Sequence, residues 1–347
     1  MLQQNIIPRT QWVKMYTLAL ELLTLAPWNW MFDVDVFGVQ HPDSRETGYC
    51  SIKGSGNLKH VGFYLFKGDQ GLSSYELLYE KEYDHLLESE NKFLLDSLVL
   101  TYLPYDRLPE VDKELVRSLS ISENTSGLWP VFRDYTPGWL PWRFETSYQI
   151  SWMTVGLEQT LEVARRFKED QNMLDHSDEG DDLILIRTPR QEHDKIIWQD
   201  VWKQVESKTK PTPQIEVNQL YLKSNTSALS LKKKEWILDI FFFPTPISTN
   251  HPRPYFPKML IAVDVNTFEL LGYHIFNENN IEKNLQVHLV KLVKEAGYIP
   301  HKIFVTTYAT YDILEKLTRE LGIIIEIDDS ETALDELKAM LFSSISL

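Results

Sequence analysis

Hydrophobic positions along this chain recur in two periods, and each change of period marks a new element. Residues 10–25 repeat apolar positions every three to four residues, with Trp12, Met15, Tyr16, Ala19, Leu22 and Leu23 on one side. That spacing predicts a helix, capped by Thr10 and closed by Pro27. PWNWMFDVDVFGVQ then turns to period two: Phe32, Val34 and Val36 alternate with Asp33 and Asp35, as in a half-buried strand. GYCSIKG and HVGFYLFKG, separated by Ser55, Gly56 and Asn57, predict a hairpin, and GDQG at 68–71 a further turn. Helical spacing covers 75–93, a buried strand 95–103, an acidic helix 109–118 and a strong amphipathic helix 150–167. Before that last helix, GLWPVFRDYTPGWLPW is rich in proline and aromatic residues and reads as an ordered covering loop.

The acidic run DHSDEGDD, residues 175–182, has almost no apolar residue and predicts an exposed break between two domains, 1–175 and 183–347. Beyond it, DLILIRTP reads as a strand and 195–205 as a helix carrying Trp198 and Trp202 at i, i+4. KTKPTPQ is a loop, and IEVNQLYL and EWILDIFFF are strands joined through LKKKE. MLIAVDV and LLGYHIF form two strands about a short turn at Asn266 and Thr267. A helix at 280–296 closed by Gly297, the strand KIFVTT, a helix at 311–321 closed by Gly322, the strand IIIEID and a last helix at 331–343 complete the order. Alternation of buried strands with helices predicts an α/β C-terminal domain with parallel pairing, after an α+β N-terminal domain with a mixed sheet.

Composition narrows the function classes. The chain has 347 residues, 43% hydrophobic and 24% charged, enough for two domains with real cores. One cysteine, Cys50, excludes a disulfide framework and a zinc-thiolate cluster. The net charge of -15 is spread over the chain, with 16 basic against 25 acidic residues up to Asp175 and 19 against 25 beyond it. Neither part has the basic surface that phosphate-backbone binding needs, so nucleic acid is not the expected partner, and the lysines at 232–234 read as a solvated loop. No apolar stretch approaches the roughly 20 residues of a membrane span, and the N-terminus lacks a signal-peptide pattern. The expectation is a cytoplasmic protein with no membrane partner.

The segment PYFPKMLIAVDVNTFELLGYHIF, followed by a helix and PHKIFVTT, resembles the first part of a ribonuclease-H-like fold, as in transposase and integrase cores. The resemblance implies such a core at about 235–347. It places Asp264 at the family's first acidic position and Thr306 and Thr307 where a second acid would stand. Two-metal phosphoryl chemistry needs several carboxylates around cations about 3.5–4 Å apart. Asp312 and Asp328 are the candidates to join Asp264, with a divalent metal such as Mg as the implied cofactor. Along its whole length the chain also resembles an uncharacterised bacterial family of two-part proteins, through PWNWMFDVDVFGV with GYCSIKG, FRDYTPGWLPW with LEQTLEVARR, and HPRPYFPKMLIAVD.

Two further groups invite function. Asp33 and Asp35, with His41 nearby, could hold a cation; the plainer reading is a solvated strand face above a core of Phe32, Val34 and Val36. Trp28, Trp30, Trp129, Trp139 and Trp142 fall in three proline-containing loops, APWNW, LWP and GWLPW, with Tyr135 and Phe132 beside them. They would either line a groove for a protein or peptide or seal the end of a core. Cys50 and His274 read as structural. The leading expectation is a non-catalytic binding or scaffolding protein without a cofactor, using the aromatic loops or a cleft between the domains. The alternative is a metal-dependent hydrolase or nuclease around Asp264.

Overall fold

The computed structural model describes residues 7–54, 61–79, 93, 95–121, 126–175, 183–204, 213–243, 245–248, 252–276, 281–328 and 338. The chain divides into two units, Met1–Lys208 and Thr209–Leu347.

The first unit is α+β. Its strands are β1 (Phe37–Gln40), β2 (Thr47–Lys53), β3 (Gly62–Lys67), β4 (Ser97–Pro104), β5 (Leu128–Tyr135), β6 (Leu183–Glu192) and β7 (Lys195–Gln204). They form one sheet in the order β5-β4-β3-β2-β1-β6-β7, antiparallel except for the parallel pair β1–β6. Helix α1 (Arg9–Leu25) precedes the sheet; α2 (Gly68–Tyr79) follows β3, α3 (Glu110–Leu119) follows β4 and α4 (Ser147–Glu169) follows β5. Alternation decides which face each strand residue takes. Phe37 and Val39, Cys50 and Ile52, Phe63 and Leu65, and Leu98 and Leu100 all enter one core beneath α1 and α4. Tyr49, Phe66 and Ile186 pack with Leu72 of α2 and with Leu95 in a smaller cluster. Helix α4 opens with a reciprocal cap, Thr146 accepting from the Gln149 N–H and the Gln149 side chain accepting from the Thr146 N–H. Gly156 lets α4 approach the sheet: a Cβ there would sit 3.2 Å from Phe63.

Several expectations for this unit need correction. Residues 32–36 form a turn, in which Asp35 accepts the Phe32 N–H; Phe32 and Val34 are exposed rather than core, and the strand begins at Phe37. The GDQG turn is the first turn of α2; residues 80–92 of the helix expected at 75–93 lie outside the described residues. The expected covering loop is in part strand β5, which tolerates Pro130 because it is the sheet edge. The expected helix at 195–205 is strand β7. The expected break at 175–182 also moves, to residue 208: β6 pairs with β1, so β6 and β7 belong to the first sheet. Residues 176–182 themselves lie outside the described residues.

The second unit is α/β. Helix α5 (Gln219–Thr226) is followed by β8 (Leu231–Phe242), β9 (Lys258–Asp264), β10 (Leu270–Phe276), α6 (Ile281–Ala296), β11 (Ile299–Val305), α7 (Tyr308–Leu321) and β12 (Ile324–Ile327). Sheet order is β10-β9-β8-β11-β12, with β8, β9 and β10 an antiparallel meander and β8, β11 and β12 parallel. Two expectations here give way. Asn218 caps α5 with its side chain, so IEVNQLYL ends in a helix, and the lysine run 232–234 lies within β8. The last expected helix, 331–343, falls outside the described residues except for Lys338. Trp236, Leu238, Leu260, Ala262, Ile303 and Val305 meet α6 and α7 in the main core, while Phe243, Met259, Ile261 and Val263 cluster separately. Gln286 is fully buried with its amide satisfied, accepting from the Glu216 N–H and donating to the Gln214 and Ile313 carbonyls.

Candidate functional site

The acidic candidates of the second unit do not converge. Asp264 ends β9 and is buried. One of its oxygens accepts the backbone N–H groups of Asn266 and Thr267 at 3.0 and 3.1 Å, and the other lies 3.1 Å from the Lys234 ammonium. Burial pushes its pKa up, but Lys234 and the two backbone donors outweigh burial and hold it below the ordinary carboxylate value. Its work is to close the β9–β10 turn. Asp312 is exposed on α7. Asp328 follows β12, three strands from β9, which puts it about 14 Å away at ordinary strand spacing. Among the described residues no group of three or more His, Cys, Asp or Glu side chains stands together to hold a metal ion.

The carboxylate that sequence reasoning passed over is Asp239, in the middle of β8 and 2% exposed. Thr306, at the end of β11, donates to it at 2.5 Å, and the Lys338 ammonium lies 2.7 Å from its other oxygen. Asp239 pairs with Ile261 and Asp264 with Trp236, and cross-strand partners share a face. The two acids therefore point to opposite faces of the sheet. An acid inside the apolar run WILDIFFF was the available signal, since a strand core admits a carboxylate only with dedicated partners.

The aromatic candidates are also dispersed. Trp28 is buried 5.9 Å from Tyr102, and Trp129 is buried edge-on to Tyr105 at 5.8 Å. Trp30 is half-buried; its indole N–H donates to the Ala164 carbonyl at 3.0 Å, and Lys168 lies over its ring. The Trp142 indole donates to Glu145 at 3.1 Å, Trp139 is half-buried, and Tyr135 joins the smaller cluster around Phe66. These residues brace separate elements and do not line one groove. His41 is buried away from cation chemistry: its Nδ1 accepts from the Asp43 and Ser44 N–H groups, which leaves Nε2 to donate to Ser151 at 2.9 Å. Cys50 is fully buried, and burial pushes its thiol pKa up, as in an inert structural cysteine.

A cavity of about 200 Å³ opens elsewhere in the first unit, between α1, α3, β5 and the segment before α4. Its wall is apolar: Trp12, Tyr16, Val111, Leu115, Phe132 and Phe144. Tyr16 meets Phe132 edge-on at 5.1 Å, and Phe132 meets Phe144 at 5.7 Å, contacts that fix the rings in place. Its polar lining is Asp112 and Arg143. Asp112 is buried and held by the Arg133 guanidinium through two bonds of 3.1 and 2.5 Å. Burial first, then the nearby Asp112 charge, pushes the Tyr16 hydroxyl well above its ordinary pKa. Arg143 is half in solvent, 3.5 Å from Glu145. Of the aromatic residues in the proline-rich segment, only Phe132 lines this cavity; Phe144 lies two residues beyond the segment.

Comparison with known proteins adds family and little else. A family model described as a domain of unknown function (DUF7309) matches residues 12–187, and a second, also a domain of unknown function (DUF6930), matches residues 207–342. The two matches lie one on each side of residues 188–206, which neither covers. No curated protein matches. Among solved structures, one chain of the simian T-cell lymphotropic virus intasome in complex with PP2A regulatory subunit B56 gamma is similar at 17% identity and a TM-score of 0.24. The match covers 33% of this chain and 42% of that one. No helix among the described residues is long and apolar enough to cross a membrane.

Proposed function

The chain belongs to the family of the domain of unknown function DUF7309, and we propose that it is a non-catalytic binding protein of the bacterial cytoplasm whose first unit captures a protein or peptide segment. The observation that supports this is the aromatic cavity. At about 200 Å³ it is smaller than the roughly 300–1,000 Å³ of most small-molecule sites. It suits one apolar side chain of a partner, an aromatic or branched aliphatic anchor. Arg143 at the edge favours an acidic neighbour beside that anchor.

The second unit supports the same reading. The ribonuclease-H-like reading, moved back by one strand from the one that placed Asp264 first, takes β8 as its first strand and Asp239 as its acid, followed by the rest of the meander, helix, strand, helix and strand. In that reading the ammonium of Lys338 neutralises Asp239 and Thr306 takes the second acidic position, which fits a binding role. The hydrolase alternative draws no support from Asp264, which is spent on Lys234 and a turn.

The test is a titration of the full chain with a short peptide carrying an aspartate beside a phenylalanine. The expected result is a saturable change in Trp12 emission that disappears in Trp12→Phe. Val111→Arg should weaken it at least about tenfold, the equivalent of roughly 1.4 kcal/mol. A linear, non-saturable response in the unaltered chain would remove the proposal.

A further inference from the structure

Strand β7 ends the first sheet, and among the described residues it pairs with β6 alone. In an antiparallel pair every second residue turns its N–H and C=O away from the partner, so the outward backbone groups of about half of the ten β7 residues meet no further strand among the described residues. Natural sheets guard such an edge with proline, a bulge, shortness or central lysines. β7 has no proline, bulge or shortness: its register with β6 is continuous over ten pairs, its lysines, Lys195 and Lys203, lie towards the ends, and its one central charge, Asp200, is taken up by Arg166 and Arg187. Its outer half instead shows apolar side chains to solvent, Ile196 at 47%, Ile197 at 41% and Val201 at 36% exposure. The ribbon also overhangs the sheet, because β1 reaches only Ile186 and Arg187 of β6. A two-stranded ribbon is marginal by itself in water, so this end of the sheet gains from a third strand.

We propose that the third strand is β7 of a second copy of this chain, paired antiparallel about a two-fold axis at Gln199. The argument is register. Centring on Gln199 sets Ile197 against Val201 of the second copy on one face, and Ile196 against Trp202 on the other. Both contacts occur twice; between them Trp198 lies against Asp200 of the second copy, a carboxylate already held by Arg166 and Arg187, and Gln199 meets itself. Lysines face each other only at the outer ends, where solvent screens them. Centring on Asp200 would set two aspartates together, and centring on Trp198 would set Ile197 against Gln199 and Val201 against Lys195, leaving neither with an apolar partner. One strand per copy buries less than the ~800 Å² per partner of a standard interface, so the dimer forms and dissociates with concentration.

Sedimentation velocity of the full chain from low to high micromolar concentration reads the mass. The expected result is a shift from one chain mass to two. Ile197→Glu and Val201→Lys should each keep the chain monomeric over that range. The double variant, Ile197→Glu with Val201→Lys, should regain the dimer, because the proposed register pairs the new glutamate with the new lysine across the axis. Within one strand these positions are about 13 Å apart, too far to compensate each other. Recovery in the double variant also shows that both changes leave the fold intact. A chain that stays monomeric throughout overturns the proposal. So do single variants that still dimerise, or a double variant that does not recover.

Discussion

His274 of β10 and His288 of α6 stack with ring centroids 3.5 Å apart, and Phe276 meets both rings edge-on. Burial first, then His274, then Lys291, pushes the His288 pKa down to about 4. The unfolded chain keeps an ordinary histidine near 6.5. Between those values the unfolded state takes up a proton that the folded state refuses, so the contribution is intact above about pH 6.5 and declines as pH falls towards 4. Allowing for screening of a half-exposed ring, the loss should be about 1–2 kcal/mol. Urea unfolding at pH 7.5, 6 and 4.5 should show it, and His288→Gln should flatten that part of the profile. A slope unchanged in the variant would place the titrating group elsewhere. Residues of this kind were only half legible in the sequence. His274 read as structural because no ligand spacing accompanied it, and nothing local to either histidine announces a contact made 14 positions away. Asp264 drew attention by ending an apolar strand, yet aspartate before a tight turn caps that turn by default. Asp239, inside the strand, was the less expected residue and the more informative one.

At the scale of elements, period decided most assignments correctly and failed where two periods coincide. Residues four apart share a face in a helix and in a strand, so Trp198 and Trp202 could not distinguish them. The segment KIIWQDVWKQ carries polar residues between apolar ones because β7 is an edge, half of it facing water. Charge pairing fixes the hairpin to α4. Asp200 of β7 lies 2.5 Å from both Arg166 of α4 and Arg187 of β6, and Gln159 of α4 accepts from Arg187. Burial pushes the Asp200 pKa up, but the two guanidinium groups more than reverse it. Arg187 is buried, so Asp200→Ala would strand a charge in the interior. The cost should be about 3 kcal/mol, near the lower end for breaking a buried pair because Asp200 is partly exposed. Asp200→Ala with Arg187→Met, which removes both charges, should recover much of it. Chemical denaturation of the three proteins checks this, and equal losses in the single and double variants would show that the pair is not what anchors the ribbon.

At the scale of the whole molecule, composition marked a break that topology moved. The acidic run 175–182 looks like a linker because it lacks anything to bury, yet a strand order is not written in local composition. Only the pairing of β1 with β6 shows that 183–204 completes the first sheet. The energetic consequence is large. A chain ending at residue 175 loses Leu185 from the main core and Ile186 from the smaller cluster, together with Trp198 and Trp202, which pack on the main core. At about 1.5–3 kcal/mol for each large apolar side chain buried, that is of order 6 kcal/mol or more, comparable with the roughly 5–15 kcal/mol that holds a domain together. Residues 1–208 and 209–347, each with its own core, should therefore fold as separate proteins with cooperative thermal transitions, the boundary being that of the two compact units. Residues 1–175 should show no such transition and should aggregate through the opened edge of β1. Calorimetry on the three fragments decides between the two boundaries: a 1–175 fragment that melts as cooperatively as 1–208 would restore the break to the acidic run and make the ribbon of β6 and β7 an appendage of the sheet.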